Sequence, residues 1–366
     1  MKRKKICIAV SNDLVTDHRV HKVAQSLHQA VGEVLLIGRQ FKTSMPLHRE
    51  YSSKRLRLLF HKKVFFYAEF NLRLFFFLLF QKADVIVAND LDTLLACFLA
   101  AKLKGAALVY DSHEYFTEVP ELHQRPRVQR IWLAIEKALL PRLKNAYTVC
   151  PSIADIYREK YNIEMQVVRN VPPLHREEHR PGPLKDPKII IYQGAINVGR
   201  GIEEAIRAMN YVEGAQLWIY GSGDIEAEIS DLIAQEGLSQ KVVLKGRVPL
   251  EELHSETRKA SLGLCIEKGK EMGLSYYYAL PNKLFDYIQA GVPVLLNDLP
   301  EKRRIQEAYG IGYILESYEP ELLGQQMMHI LQEASPIIAQ NLEVAARSLC
   351  WEKEEETLLQ IYHHLS

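Results

Sequence analysis

KIIIYQGAINVGRGIEEAI, residues 188–206, decides the fold. A short β-branched run (188–193) gives way to a glycine loop, and IEEAI then opens a helix. Reading outward, the same unit recurs downstream: QLWIYG (216–221), VVLKG (242–246), LGLCIE (262–267), VPVLLN (292–297) and GYIL (312–315) read as strands separated by helix-period segments. Upstream, strands are expected at KICIAV (5–10), VLLI (34–37), LRLLF (56–60), DVIVA (84–88), ALVY (107–110), YTVC (147–150) and QVVR (166–169). Alternation of this kind is the signature of βαβ units and a mostly parallel sheet. Residues 171–187 carry five of the 16 prolines and no apolar periodicity, so they continue neither sheet. The chain therefore divides into an α/β domain over 1–170, a linker over 171–187, a second α/β domain over 188–350 and a terminal helix over 351–366, whose Trp351 and Tyr362 suit it to pack across both domains.

Composition fits two ordinary globular cores, with 48% hydrophobic and 25% charged residues in 366. The five cysteines (Cys7, Cys97, Cys150, Cys265, Cys350) are scattered through apolar runs without metal-like spacing, which reads as buried, reduced thiols of a cytosolic protein. The start MKRKKICIAV is basic, but its apolar run stops at Ser11, too soon for a secretion signal. The net charge of +1 hides an asymmetry. Residues 1–180 hold 29 Lys and Arg against 18 Asp and Glu, and by residue 83 the count is already 16 against 5. One region of the first domain could thus face an anionic surface. Segment 64–80, VFFYAEFNLRLFFFLLF, is interrupted by Glu69, Asn71 and Arg73 and falls below membrane-spanning length. It reads as a buried crossover helix, or as a helix lying on a membrane surface behind Lys54, Arg55, Arg57, Lys62 and Lys63.

In open parallel sheets, ligands sit beyond the carboxyl ends of the strands. Three such places carry chemistry. ALVY runs into Asp111-Ser112-His113-Glu114-Tyr115, an imidazole between carboxylates, able to donate to a substrate hydroxyl with its tautomer fixed by a neighbour. The loop after 193 leads into a helix start with Arg200 and Gly201, where N–H groups, the helix dipole and a forked guanidinium favour phosphate. YGSGD (220–224) repeats the arrangement but lacks the third glycine of a dinucleotide fingerprint, which disfavours NAD. In LSYYYALPNKLFDYIQAGVPV (274–294), Pro281 is placed at the first helical position, Asn282 and Lys283 offer donors at the helix start, Asp286 can accept from ribose, and Gly291 ends the helix. Asp90-Leu91-Asp92 reads as a helix N-cap rather than a metal-binding pair, so no metal or other cofactor is expected. Lys2 to Lys5 lack aromatic interleaving, so no nucleic acid is expected either.

Taken in order, TDHRVHKVAQSL (16–27), ANDLDTLL (88–95), VYDSHEY (109–115), GAINVGRGIEEAI, YGSGD, LKGRVP (244–249), PNKLFDYIQAGVPV and the Trp351–Tyr362 tail resemble the retaining GT-B glycosyltransferases of family 4. The resemblance implies two Rossmann-like domains facing across a cleft, with the terminal helix crossing back to the first. It also implies transfer of a sugar from a nucleotide-sugar donor to a glycan or lipid-linked acceptor, with retention, in surface polysaccharide or glycoconjugate synthesis. The leaving phosphate would take the acceptor proton. His113, Arg200 and Lys283 would be the catalytic set. The donor would meet Gly194, Gly199, Gly201, Gly221, Gly223, Arg247, Tyr278, Pro281, Asn282, Leu284 and Asp286. Asp13, Asp17, Arg19, Asp111 and Glu114 would lie on the acceptor side.

Two departures stand out. The first acid of the family's E-x7-E motif falls at Tyr278, so its hexose contact is either missing or supplied by Glu267 or Glu271, and the arginine often found after the first glycine of the second domain is Ala195. Sugar-nucleotide 2-epimerases share the architecture, and a non-catalytic nucleotide-sugar-binding partner is a third reading. The basic first region would place the protein on the cytoplasmic face of an anionic membrane.

Overall fold

The computed structural model describes residues 3–175, 187–333 and 335–365. The chain forms two compact units, one of residues 1–170 with 354–366 and one of residues 171–353. Most of the expected linker lies outside the described residues.

In the first unit the chain runs β1 (Lys4–Asp13), α1 (His18–Ala30), β2 (Gly32–Gln40), β3 (Ser52–Arg57), α2 (Lys63–Phe80), β4 (Val85–Asn89), α3 (Leu91–Lys104), β5 (Ala107–Ser112), α4 (Pro120–His123), α5 (Pro126–Leu139), β6 (Asn145–Thr148), α6 (Pro151–Tyr161) and β7 (Gln166–Val167). The strands pair in parallel in the order β3-β2-β1-β4-β5-β6-β7. Helices cover both faces, so the central strands are buried throughout: Ile6 to Val10 in β1 and all of β4.

Two expectations need correction here. The third strand lies at 52–57 instead of 56–60. As the sheet edge it presents Ser52, Ser53, Lys54 and Arg57 outward, which removes the apolar signal that drew the reading toward LRLLF. Helix α2 is only half buried. Phe66, Phe70, Leu74 and Leu78 form one inward stripe at a spacing of four. The opposite face leaves Val64, Phe65, Leu72, Phe76 and Phe80 in solvent, Phe80 at 83% exposure. Among the described residues no helix is long and apolar enough to cross a membrane.

The second unit runs β8 (Lys188–Gln193), α7 (Ile202–Ala208), β9 (Ala215–Tyr220), α8 (Glu226–Gln235), β10 (Val242–Gly246), α9 (Leu250–Thr257), β11 (Leu262–Cys265), α10 (Leu274–Tyr277), α11 (Asn282–Ala290), β12 (Val294–Leu296), α12 (Pro300–Tyr309), β13 (Gly312–Ile314), α13 (Pro320–Gln332) and α14 (Pro336–Ser348). Its parallel order is β10-β9-β8-β11-β12-β13. Successive side chains of β8 go to opposite layers, Ile190 to one apolar cluster and Ile191 to the other. This order reverses between β8 and β11, as the first unit's does between β1 and β4, and a ligand crevice opens at such switch points.

Helix α15 (Trp351–His363) begins in the second unit, where Trp351 N–H donates to the Pro172 carbonyl at 2.9 Å. From Glu354 onward it belongs to the first. There Glu354 accepts from the Arg169 amide at 2.8 Å and its guanidinium at 2.9 Å, while the Lys4 ammonium donates to the carbonyls of Tyr362 and Leu365. All five cysteines are free and buried.

Candidate active site

At the second unit's switch point the loops after β8 and β9 touch backbone to backbone. A side chain at Gly221, at φ 134°, would meet the Gly194 carbonyl at 1.8 Å, and one at Gly223 would strike the Ile196 carbonyl. Gly201, at φ 76° and pressed against the Ile266 carbonyl, starts α7. These three glycines shape the loops by close approach, while Gly194 is exposed and Gly199 packs on Met272.

Beside them lies a charge cluster that joins Lys283 and Glu267 to a residue the sequence does not single out, Lys302. Glu267, two residues beyond β11, is 4% exposed and shared by two buried lysines. Lys283 Nζ stands 2.5 Å from its Oε1 as an ion pair, and Lys302 donates to its Oε2. Lys302 also donates to the carbonyl of Cys265 at 2.9 Å and to Asn297 Oδ1 at 2.6 Å. Burial alone would raise the Glu267 carboxyl, but the Lys283 and Lys302 ammoniums override it and hold it well below the usual carboxylate range. Lys283 lies 3.9 Å from the centre of the Tyr192 ring, and the Tyr192 hydroxyl is held by the Ala195 carbonyl at 2.7 Å. One carboxylate against two ammoniums leaves an excess positive charge.

Around this cluster, Arg200 stacks on Tyr276 at 4.7 Å and donates to its hydroxyl at 2.9 Å, while its Nε is buried without a hydrogen-bond partner. Asp286 accepts from Gln193 Nε2 at 2.9 Å. Arg247 is exposed and donates to Ser222 Oγ at 2.5 Å. Pro281 is the N-cap of α11 and Asn282 its first residue, one position later than expected. The Leu284 amide is turned inward, donating to the Pro281 carbonyl at 3.0 Å. Tyr278 packs edge-on against Tyr277. With Glu267 occupied on both oxygens, Glu271 is the exposed acid of this loop.

In the first unit His113 is held at both ring nitrogens. Nε2 is 3.1 Å from both Asp111 Oδ2 and Asn89 Oδ1, and Nδ1 is 3.3 Å from Asp90 Oδ2. Burial would lower this imidazole, but Asp90 and Asp111 outweigh it and raise it to about 9. Asp90 is not the capping residue its position suggested. At φ 58° and ψ 169° its side chain makes no cap bond to α3 and instead accepts the His113 amide at 2.8 Å. Asp111 is fully buried, and its other oxygen takes the Arg19 guanidinium at 2.8 Å. Burial pushes Asp111 upward, yet Arg19 and His113 bring it down to about 2. Arg19 is itself 5% exposed and donates to the Val168 carbonyl at 3.1 Å. Arg19 and Asp111 therefore form a buried chain of ion pairs behind His113. Asp17 caps α1 through the Val20 amide at 3.0 Å, Asp13 accepts from Val15 and Ser44, and Glu114 is exposed beside His113.

The two halves match family models in turn: Glycosyltransferase Family 4 over residues 17–174 and Glycosyl transferases group 1 over 175–348. The chain belongs to the family 4 type of glycosyltransferases. No curated protein matches its sequence significantly. Among solved structures it is similar to sucrose-phosphate synthase from Thermosynechococcus elongatus, with a TM-score of 0.78 at 16% identity over 99% of each chain. It is also similar to WaaG, a glycosyltransferase involved in lipopolysaccharide biosynthesis, with a TM-score of 0.71 at 16% identity over 97% of this chain and 99% of that one. HepE of Anabaena, solved in complex with UDP-glucose, gives 0.72 at 10% identity over 99% and 100%. These are GT-B glycosyltransferase structures, and two parallel-sheet Rossmann-like units are the fold found here.

Proposed function

We infer that this glycosyltransferase moves a hexose from a nucleotide-sugar donor to a glycan or lipid-linked acceptor with retention of configuration, in the synthesis of a surface polysaccharide or glycoconjugate. The observation that carries the donor assignment is the net-positive Glu267, Lys283 and Lys302 cluster at the β8/β11 switch point, with Arg200 close by. A departing nucleoside diphosphate gains negative charge, and fixed cations in a largely buried setting stabilise it without reorganising. HepE, solved in complex with UDP and with UDP-glucose, supports the same donor class. On this reading the Asn282 end of α11 meets the diphosphate and Asp286 the ribose. His113, a cation at neutral pH with both nitrogens held by Asp90 and Asp111, then offers the donor sugar a fixed positive charge.

A thermal-shift series with nucleoside diphosphates and their sugars tests the donor, because a ligand at 100 times its Kd stabilises by about 2.7 kcal/mol. No shift with any of them would remove the assignment. Arg200→Ala and Lys283→Ala are each expected to lower kcat roughly 10²–10³-fold with the fold intact. His113→Ala should lose more turnover than nucleotide affinity, and the reverse pattern would take His113 out of the reaction.

Attachment to the cytoplasmic face of an anionic membrane is part of the same proposal. Its support is the outward face of α2, where Phe65, Leu72, Phe76 and Phe80 follow exposed Leu59 and Phe60 beside Lys54 and Arg55. Sedimentation with phosphatidylglycerol but not phosphatidylcholine vesicles, lost in high salt and in Phe76→Ser/Phe80→Ser, is expected. Absence of binding to phosphatidylglycerol at low salt would defeat it.

A further inference from the structure

A pocket of about 340 Å³ in the first unit plays no part in that donor site. It opens beyond the carboxyl ends of β1 and β2 and is lined by Arg39, His61, Lys62, Lys63, Tyr67 and Arg125. Four permanent cations meet there, and no acidic residue lines it among the described residues. None of the four forms an ion pair among those residues. Like charges brought together repel, and an anion between them removes the repulsion.

Three details say that the cations are placed rather than scattered. The Arg39 guanidinium lies 3.9 Å from the centre of the Phe41 ring and 4.5 Å from that of Phe66, and its buried Nε has no hydrogen-bond partner among the described residues. Helix α2 begins at the pocket, and its N-cap, Lys62, makes no side-chain cap bond, so the positive end of an 18-residue helix adds to the field. Lys63 opens that helix at φ 61°, a left-handed conformation that a lysine holds only under constraint. Planar forked donors, point charges and a helix start are together the recognition chemistry of a phosphate ester.

We propose that this pocket holds the phosphate of the acceptor, so that the sugar passes to a phosphorylated substrate. The inference rests on reading the second unit as the donor site, since that unit supplies its own cations for the donor diphosphate and leaves this set for a second anion. A soluble sugar phosphate and the diphosphate headgroup of a lipid-linked sugar share the chemistry.

Isothermal titration of the full chain with glucose 6-phosphate, glucose and a farnesyl diphosphate-linked sugar in detergent, each with and without saturating UDP, tests it. A phosphorylated probe should bind whether or not UDP is present, and glucose should not. Arg39→Gln and Lys63→Gly should each weaken that binding about tenfold or more while UDP affinity stays within about twofold. Lys63→Gly should melt no lower than the parent, because glycine takes the left-handed conformation freely. Preference for glucose 6-phosphate would identify a soluble acceptor, and preference for the farnesyl diphosphate sugar a headgroup. Binding of neither phosphorylated probe, or undiminished binding in both variants, would overturn the proposal. Loss of UDP binding alone, with the phosphate titration as expected, would strike the donor reading and leave the pocket standing.

Discussion

Both units place a buried carboxylate at the end of a strand and share it between two cations, but the two sets differ in charge. In the first, Asp111 takes Arg19 and His113, and Asp90 adds a second carboxylate at the far side of the imidazole. Two acids and two cations balance when His113 is protonated. In the second, Glu267 alone faces Lys283 and Lys302, and a positive charge remains. The balanced set fixes an imidazolium without attracting a further ion, which suits contact with hydroxyl groups. The unbalanced set keeps a positive charge that an anion would complete. The difference also concerns redundancy, because His113 keeps a partner if one acid is lost whereas the two lysines have a single counter-charge.

The sharpest way to break this contrast is Glu267→Gln. Removing the one carboxylate leaves two buried ammoniums facing each other, and a loss of about 3–5 kcal/mol in unfolding free energy is expected from urea titration. A loss under about 1 kcal/mol would mean the lysines do not depend on it. Asp111→Asn should cost less, about 2–3 kcal/mol, since Arg19 keeps the Val168 carbonyl and His113 keeps Asp90.

A third test uses pH. His113 titrates at about 9 in the folded chain against an unfolded value near 6.5, so its contribution is complete below about 6.5 and is lost as pH rises through about 9. The stability advantage of the parent over His113→Gln should therefore shrink by about 3 kcal/mol across that interval. The imidazole resonance should shift with a midpoint near 9 in the parent and lower in Asp90→Asn; a parent midpoint at 6.5 would dissolve the contrast. The smallest effect belongs to Arg247→Ala. This exposed residue should change stability by less than about 0.5 kcal/mol, while nucleoside diphosphate affinity falls measurably in titration calorimetry.

Strands that carry apolar runs between helices were legible in the sequence because their burial on both faces leaves a continuous signal, as in Val85–Ala88 and Ile189–Ile191. The edge strand 52–57 was displaced in the reading because half of it meets water. Helix α2 could not be divided into faces, since Phe76 and Phe80 on the outside are as apolar as Phe66 and Phe70 within. Site residues followed the same logic. Gly291 and Pro281 mark their helix ends through backbone chemistry, to within one position. Asp90 misled, because an aspartate before a helix is ordinarily a cap and only its unusual φ turns it toward His113. Lys302 left no trace: in PEKRRIQEAY it is one of three adjacent cations, and nothing in that pattern singles out the one that is 1% exposed. Its partner Glu267 is 35 residues away, a distance at which local pattern carries no information.

The return of helix α15 to the first unit bears on how the protein is made. The Arg169 side chain and amide and the Lys4 ammonium all find partners in residues 354–365, which leave the ribosome after the second unit. At 5–20 residues per second, the roughly 180 intervening residues take about 10–40 s to synthesise. Throughout that interval the first unit lacks its last helix, and when it ends the second unit already has all its residues. The nascent chain is thus expected to complete its second unit first, and the first unit is the last to close.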